Sequence, residues 1–181
     1  MRRIFIDTEW TAVPWSSASD LLWVGLADES GRSWCGLSSE ARIASDNERY
    51  VSDLLQLITP DVPRLARTEL ATAIREFCDQ VDEFWAWIPT VESFAAWSRL
   101  GEAASDVYGR CRDIDLQMLK TLVSPWPSTW PSNLQDLNAA AASASVSIPP
   151  RAANHLHPRV HAEWNRQLFK LINDATRASA A

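Results

Sequence analysis

Between residues 3 and 37 the chain alternates short apolar runs with turn-forming residues, and beyond residue 50 its apolar residues fall at helical intervals. That change of period restricts the chain to an α/β fold whose sheet begins as a meander. Residues 3–7, Arg-Ile-Phe-Ile-Asp, read as a buried strand that runs into acidic residues at its C-terminal end. Residues 21–27 form a second apolar run, bounded by Ser19-Asp20 and by Asp28-Glu29-Ser30-Gly31. Residues 32–37 make a third, and the Asp-Glu-Ser-Gly link between the two is a hairpin signal.

Helical spacing follows. Leu54, Leu55, Leu57 and Ile58 mark a short helix ended by Pro60, and Leu70, Ile74, Phe77 and Val81 give one buried face to a helix over 64–81. Residues 83–88 are short, aromatic and apolar and stop at Pro89, which predicts a central strand, with a helix over 91–100. A short helix is expected over 113–120, its acidic start favourable at the positive end of the helix dipole. Residues 124–132 form a rigid Pro/Trp loop, after which Ser132 or Asn133 is placed to cap a helix running to Ala144. The last helix spans about 158–178, with Val160, Trp164, Leu168, Leu171, Ile172 and Ala175 as its apolar stripe. The 181 residues fit one domain, with the Pro/Ser/Ala-rich stretch 124–154 inserted within it.

Composition narrows the function classes. An apolar fraction of 46% supports a real core, and no apolar run approaches the roughly 18 residues of a membrane span. Asp7 and Glu9 break the N-terminal apolar stretch too early for a secretory signal. Cys35, Cys78 and Cys111 are widely spaced and odd in number, which points to a reducing, cytoplasmic setting and not to a disulfide frame or zinc knuckle. A net charge of −6 argues against a protein that coats polyanions, but not against an enzyme that reaches nucleic acid through metal ions. Most of the ten tryptophans belong to a core, and a minority are available to stack on bases.

Asp7 and Glu9 carry the chemistry. Side chains two apart on a strand share a face. Two neighbouring carboxylates repel and resist desolvation unless a cation sits between them, and hard ions such as Mg²⁺ or Mn²⁺ take oxygen ligands. The competing reading is a polar strand end that meets water. All three histidines, His155, His157 and His161, fall within seven positions, which suggests a shared site; the alternative is a solvent-facing cap at a helix entrance.

The run Ile4-Phe5-Ile6-Asp7-Thr8-Glu9-Trp10, followed by a meander and a helix, resembles the RNase H-like DEDDh 3′–5′ exonucleases. The small bacterial exoribonucleases look closest, because Phe84-Trp85-Ala86-Trp87-Ile88 resembles their fourth strand. The resemblance implies an RNase H-like mixed β-sheet flanked by α-helices, a centre for two Mg²⁺ or Mn²⁺ ions, and hydrolysis of single-stranded RNA or DNA from its 3′ end. It also implies pairing as a homodimer. The second acidic motif of the family falls on Glu92. The final metal-binding aspartate is replaced by His161, and the family's histidine position falls on Leu156, between His155 and His157.

The expected ligands are therefore Asp7, Glu9, Glu92 and His161, with His157 or His155 as proton acceptor and Trp10 and Trp15 as surfaces for a terminal nucleotide. Imidazole in place of a carboxylate shifts the expected preference from Mg²⁺ toward Mn²⁺. Asp106, Asp113 and Asp115 are alternative ligands, Asp113 being better placed as a helix cap, and Arg110, Arg112 and Arg159 are candidates for phosphate contacts, with solvated surface charge as the favoured reading. The competing function is a degenerate exonuclease-like domain that binds a nucleic-acid end or a protein partner without turnover.

Overall fold

The computed structural model describes residues 1–12, 19–43, 48–91, 104–151 and 157–179. Its strands are β1 (Arg3–Trp10), β2 (Leu21–Asp28), β3 (Ser33–Ser38), β4 (Arg64–Leu65), β5 (Glu83–Ala86) and β6 (Leu134–Asp136). Its helices are α1 (Glu48–Leu55), α2 (Arg67–Phe77), α3 (Ala104–Cys111), α4 (Ile114–Leu122), α5 (Leu137–Ser143) and α6 (Pro158–Ser179). The strands form one mixed sheet in the order β4-β3-β2-β1-β5-β6. β1, β2 and β3 pair antiparallel, while β5 lies parallel to β1, β6 parallel to β5, and β4 parallel to β3. The expected mixed sheet flanked by helices is what the chain forms.

The central position of β1 follows from its composition. Ile4 and Ile6 face one side of the sheet, where they pack with Val24, Leu26, Leu70 and Ile74 of α2, and Leu116 and Leu119 of α4. Phe5 faces the other side and packs with Ala27, Leu137 of α5, and Ala162, Leu168 and Phe169 of α6. A strand apolar on both faces has to be interior, and each such side chain contributes about 1.5–3 kcal/mol on burial. The β2–β3 hairpin closes as expected: Asp28 Oδ1 accepts from the Ser30 and Arg32 amides, and Gly31 takes the left-handed φ of 96°.

Several boundaries differ from the sequence reading. The helix expected over 64–81 is α2, and residues 64–65 instead pair as β4 with Leu37 and Ser38. Glu69 Oε2 accepts from the Ala66 amide at 3.0 Å, which fixes the start of α2. The expected helix near 54–58 lies earlier, as α1 over 48–55. Ser132 and Asn133 do not start α5: β6 intervenes, and Asp136 caps the helix through the Asn138 amide at 2.8 Å. α3 has no counterpart in the sequence pattern, and the helix expected over 91–100 lies, apart from Val91, outside the described residues.

α6 carries its buried stripe on Pro158, His161, Ala162, Trp164, Asn165, Leu168, Phe169 and Ile172. Relative to the expected stripe, Leu171 is exposed, and the polar pair His161 and Asn165 is buried. The helix is rotated because those two side chains have partners on β1, described below. No helix among the described residues is long and apolar enough to cross a membrane. Burial raises the pKa of the Cys78 thiol, and Cys35 is shifted the same way, so both behave as packing residues.

Candidate metal centre

Antiparallel pairing sets Asp7 opposite Gly25 and Glu9 opposite Trp23, so all four lie on the sheet face that α6 covers. Gly25 is what lets the helix come close. A Cβ there would fall 2.1 Å from the Pro158 carbonyl carbon, so only glycine admits the start of α6 at this position. One turn into α6, His161 Nδ1 lies 3.2 Å from Asp7 Oδ2. A further turn along, Asn165 Nδ2 donates to the Ile6 carbonyl at 2.9 Å. This i, i+4 pair holds α6 to the backbone and side chains of β1.

The result is a compact set of donors. One ligand atom each from Asp7, Glu9 and His161 lies within 4.8 Å of the others. Ligands on opposite sides of an ion bound at about 2.1 Å would be about 4.2 Å apart, so the three close on one cation with shifts of a few tenths of an ångström. The surroundings also fit. Glu9 and His161 are buried, and His161 Nε2 has no hydrogen-bond partner among the described residues. The nitrogen that faces Asp7 is Nδ1, so Nε2 is the other nitrogen of the ring, and what a cation would relieve is the close approach of the Asp7 and Glu9 carboxylates.

His157 sits one turn before His161 and turns onto Trp23, with ring centroids 4.4 Å apart. It is buried and its Nδ1 is unpartnered among the described residues. Burial first, and the nearby Arg159 charge second, lower its pKa, so its imidazole is held neutral. Because Trp23 is the cross-strand neighbour of Glu9, this ring borders the donor set without being one of the clustered ligands.

Trp10 is half-buried. It packs against the side of the core that holds Ile4 and Ile6, and its Nε1 donates to Thr8 Oγ1 at 2.7 Å. Thr8 in turn is tied to α4: its amide and hydroxyl donate to Asp115 Oδ1 at 2.9 and 2.6 Å. Asp115 is thus engaged with Thr8 and is not one of the clustered donors. Burial, then the charge of Asp7, push its pKa up to about 7 from an ordinary 3.8. Asp113 precedes α4 but makes no side-chain cap bond, and it lies 3.9 Å from Arg112. Asp106 is exposed on α3, and Arg159 lies 3.6 Å from Asp61. Glu92, Trp15 and His155 lie outside the described residues, as does the side chain of Arg110.

One residue at the centre was not anticipated. Arg151 Nη2 lies 3.9 Å from Asp7 Oδ1, the oxygen other than the one facing His161. Its guanidinium carbon is 5.1 Å from the Trp164 ring centroid and 5.8 Å from that of Trp87, and those two indoles meet edge to face. Arg151 follows Pro149-Pro150, where no periodicity or motif marks it. No protein-family model matches this chain, and no curated protein matches it.

Proposed function

We propose that the chain is a metal-dependent 3′–5′ exonuclease of RNase H-like type, acting on the 3′ end of single-stranded RNA or DNA. The observation that carries the reading is the convergence of Asp7, Glu9 and His161 from β1 and α6 onto one cation-sized space. The fold is compatible with it: the three-strand meander is followed by α1, β4 and α2 and then by β5, which lies parallel to β1. The 3′ polarity comes from the sequence resemblance.

In this reading Asp7, Glu9 and His161 would hold a Mn²⁺ or Mg²⁺ ion. The ion supplies Lewis acidity, neutralising phosphate charge and activating water. Glu92 is the further carboxylate of the set. His157, neutral through burial, would accept the proton of the attacking water as its oxygen bonds to phosphorus, and the O3′ released as the P–O3′ bond breaks would take a proton from solvent. Asn165 and Gly25 act by position, keeping α6 close enough for His161 to meet Asp7.

A degenerate domain that binds a nucleic-acid end or a protein without turnover is the second reading. It is favoured by the approach of His161 and Arg151 to the two oxygens of Asp7, since protein groups then meet part of the charge demand of the site. One experiment separates the two. The purified chain is incubated with a 5′-labelled single strand whose 3′ end is free or blocked, in Mg²⁺ and in Mn²⁺. Stepwise shortening of the free strand in Mn²⁺, absent in Asp7→Asn, is the expected result. Shortening retained in Asp7→Asn refutes the nuclease assignment, and an inactive wild-type chain that still binds the strand supports the degenerate domain.

A further inference from the structure

We propose that Arg151 takes the place of a second cation: the centre binds one divalent ion, and the guanidinium receives a non-bridging oxygen of a phosphodiester. The proposal rests on the nuclease reading and specifies its metal count and ligand.

The division of Asp7 is the first argument. Two-metal hydrolytic centres hold their ions roughly 3.5–4 Å apart, a spacing that a carboxylate spans by offering one oxygen to each. Here Oδ2 faces His161 within the clustered donors, while Oδ1 faces Arg151 at 3.9 Å. A second divalent ion on Oδ1 would sit against a fixed positive charge.

The second argument is how that charge is fixed. The guanidinium lies within cation–π range of Trp87 and Trp164, from the end of β5 and from α6. Arginine suits this place because it stays charged and its flat head stacks on indoles, whereas a lysine would keep its hydration and roam. At 3.9 Å the contact with Asp7 is too long for a hydrogen bond, and Arg151 Nε has no partner among the described residues. Nε is buried, so an anion would meet the Nη groups of this partly exposed side chain.

Charge names the ligand. A guanidinium offers a fixed positive charge and N–H donors but no acceptor, so it selects an anionic oxygen. A phosphodiester supplies one, and a neutral isostere does not.

The test uses the full chain stripped with chelator. Free Mn²⁺ is followed by its spin-resonance signal, and binding of thymidylyl-thymidine to the Mn²⁺-loaded chain is compared with binding of its uncharged methylphosphonate analogue. The wild-type chain is expected to take one Asp7-dependent Mn²⁺ and to favour the charged dinucleotide about tenfold. Arg151→Gln is expected to bind Mn²⁺ several-fold more tightly, or to admit a second ion, and to lose the preference for the charged dinucleotide. Arg151→Lys, which keeps the charge, serves if the glutamine variant does not fold, and is expected to retain only part of the preference. Two Asp7-dependent ions in the wild-type chain, or a substitution of Arg151 that alters neither affinity, overturn the proposal alone. A wild-type chain with no Asp7-dependent Mn²⁺ overturns the nuclease reading and this proposal with it.

Discussion

Gly25 of β2 and Pro158 of α6 meet backbone to backbone, so closely that a Cβ on Gly25 would lie 2.1 Å from the Pro158 carbonyl carbon. No side chain can yield there, because the atoms in the way are main chain. Gly25→Ala must push the start of α6 off the sheet, and His161 moves with it away from Asp7. Overpacking of this kind costs about 1–3 kcal/mol, or several degrees of melting temperature in a chain of this size. The expected outcome is a lower melting temperature together with loss of Mn²⁺-dependent stabilisation, read in one thermal-shift titration. Full Mn²⁺ stabilisation in Gly25→Ala would show that the approach of α6 does not build the centre.

His161 is where the donor set departs from all-carboxylate. Replacing it by aspartate adds a hard oxygen ligand and a negative charge beside Asp7, both of which favour Mg²⁺. His161→Asp is expected to melt lower than the wild-type chain in chelator, since three carboxylates then crowd one space. Added Mg²⁺ should stabilise it more than the same concentration stabilises the wild-type chain. Equal responses to Mg²⁺ in the two proteins would place residue 161 outside the ion's reach.

How much of this was legible depends on the range over which each signal acts. The Asp7–Glu9 pair could be read because two-residue spacing on a strand is local, and the face it shares with Phe5 is the one α6 covers. The rotation of α6 could not, since His161 and Asn165 read as polar surface until their partners on a strand more than 150 positions earlier are known. β4 and β6 span two and three residues, below the length at which alternation can be seen, and exist because a neighbouring strand offers its edge. Arg151 is invisible for the same reason as Asn165: its place is defined by Trp87, Trp164 and Asp7, none of them near it in sequence.

Asp115 supplies a pH signature. Its folded-state pKa is raised, to about 7 from 3.8, by burial first and by the charge of Asp7 second. A raised pKa means that the folded chain holds this proton more tightly than the unfolded one, so the associated stability is present below about pH 4 and is lost as pH rises through about 7. Asparagine keeps the acceptor oxygen for the Thr8 amide and hydroxyl but has no charge to desolvate. In chelator, the stability of the wild-type chain should therefore fall relative to Asp115→Asn between pH 4 and pH 8, by an amount on the order of 4 kcal/mol, given about 1.4 kcal/mol per pKa unit. Denaturant melts of both proteins at each pH measure it, and parallel curves would show that Asp115 ionises without penalty. Saturating Mn²⁺ should narrow the gap at pH 7, because a cation held by Asp7 offsets the negative charge that helps to keep Asp115 protonated.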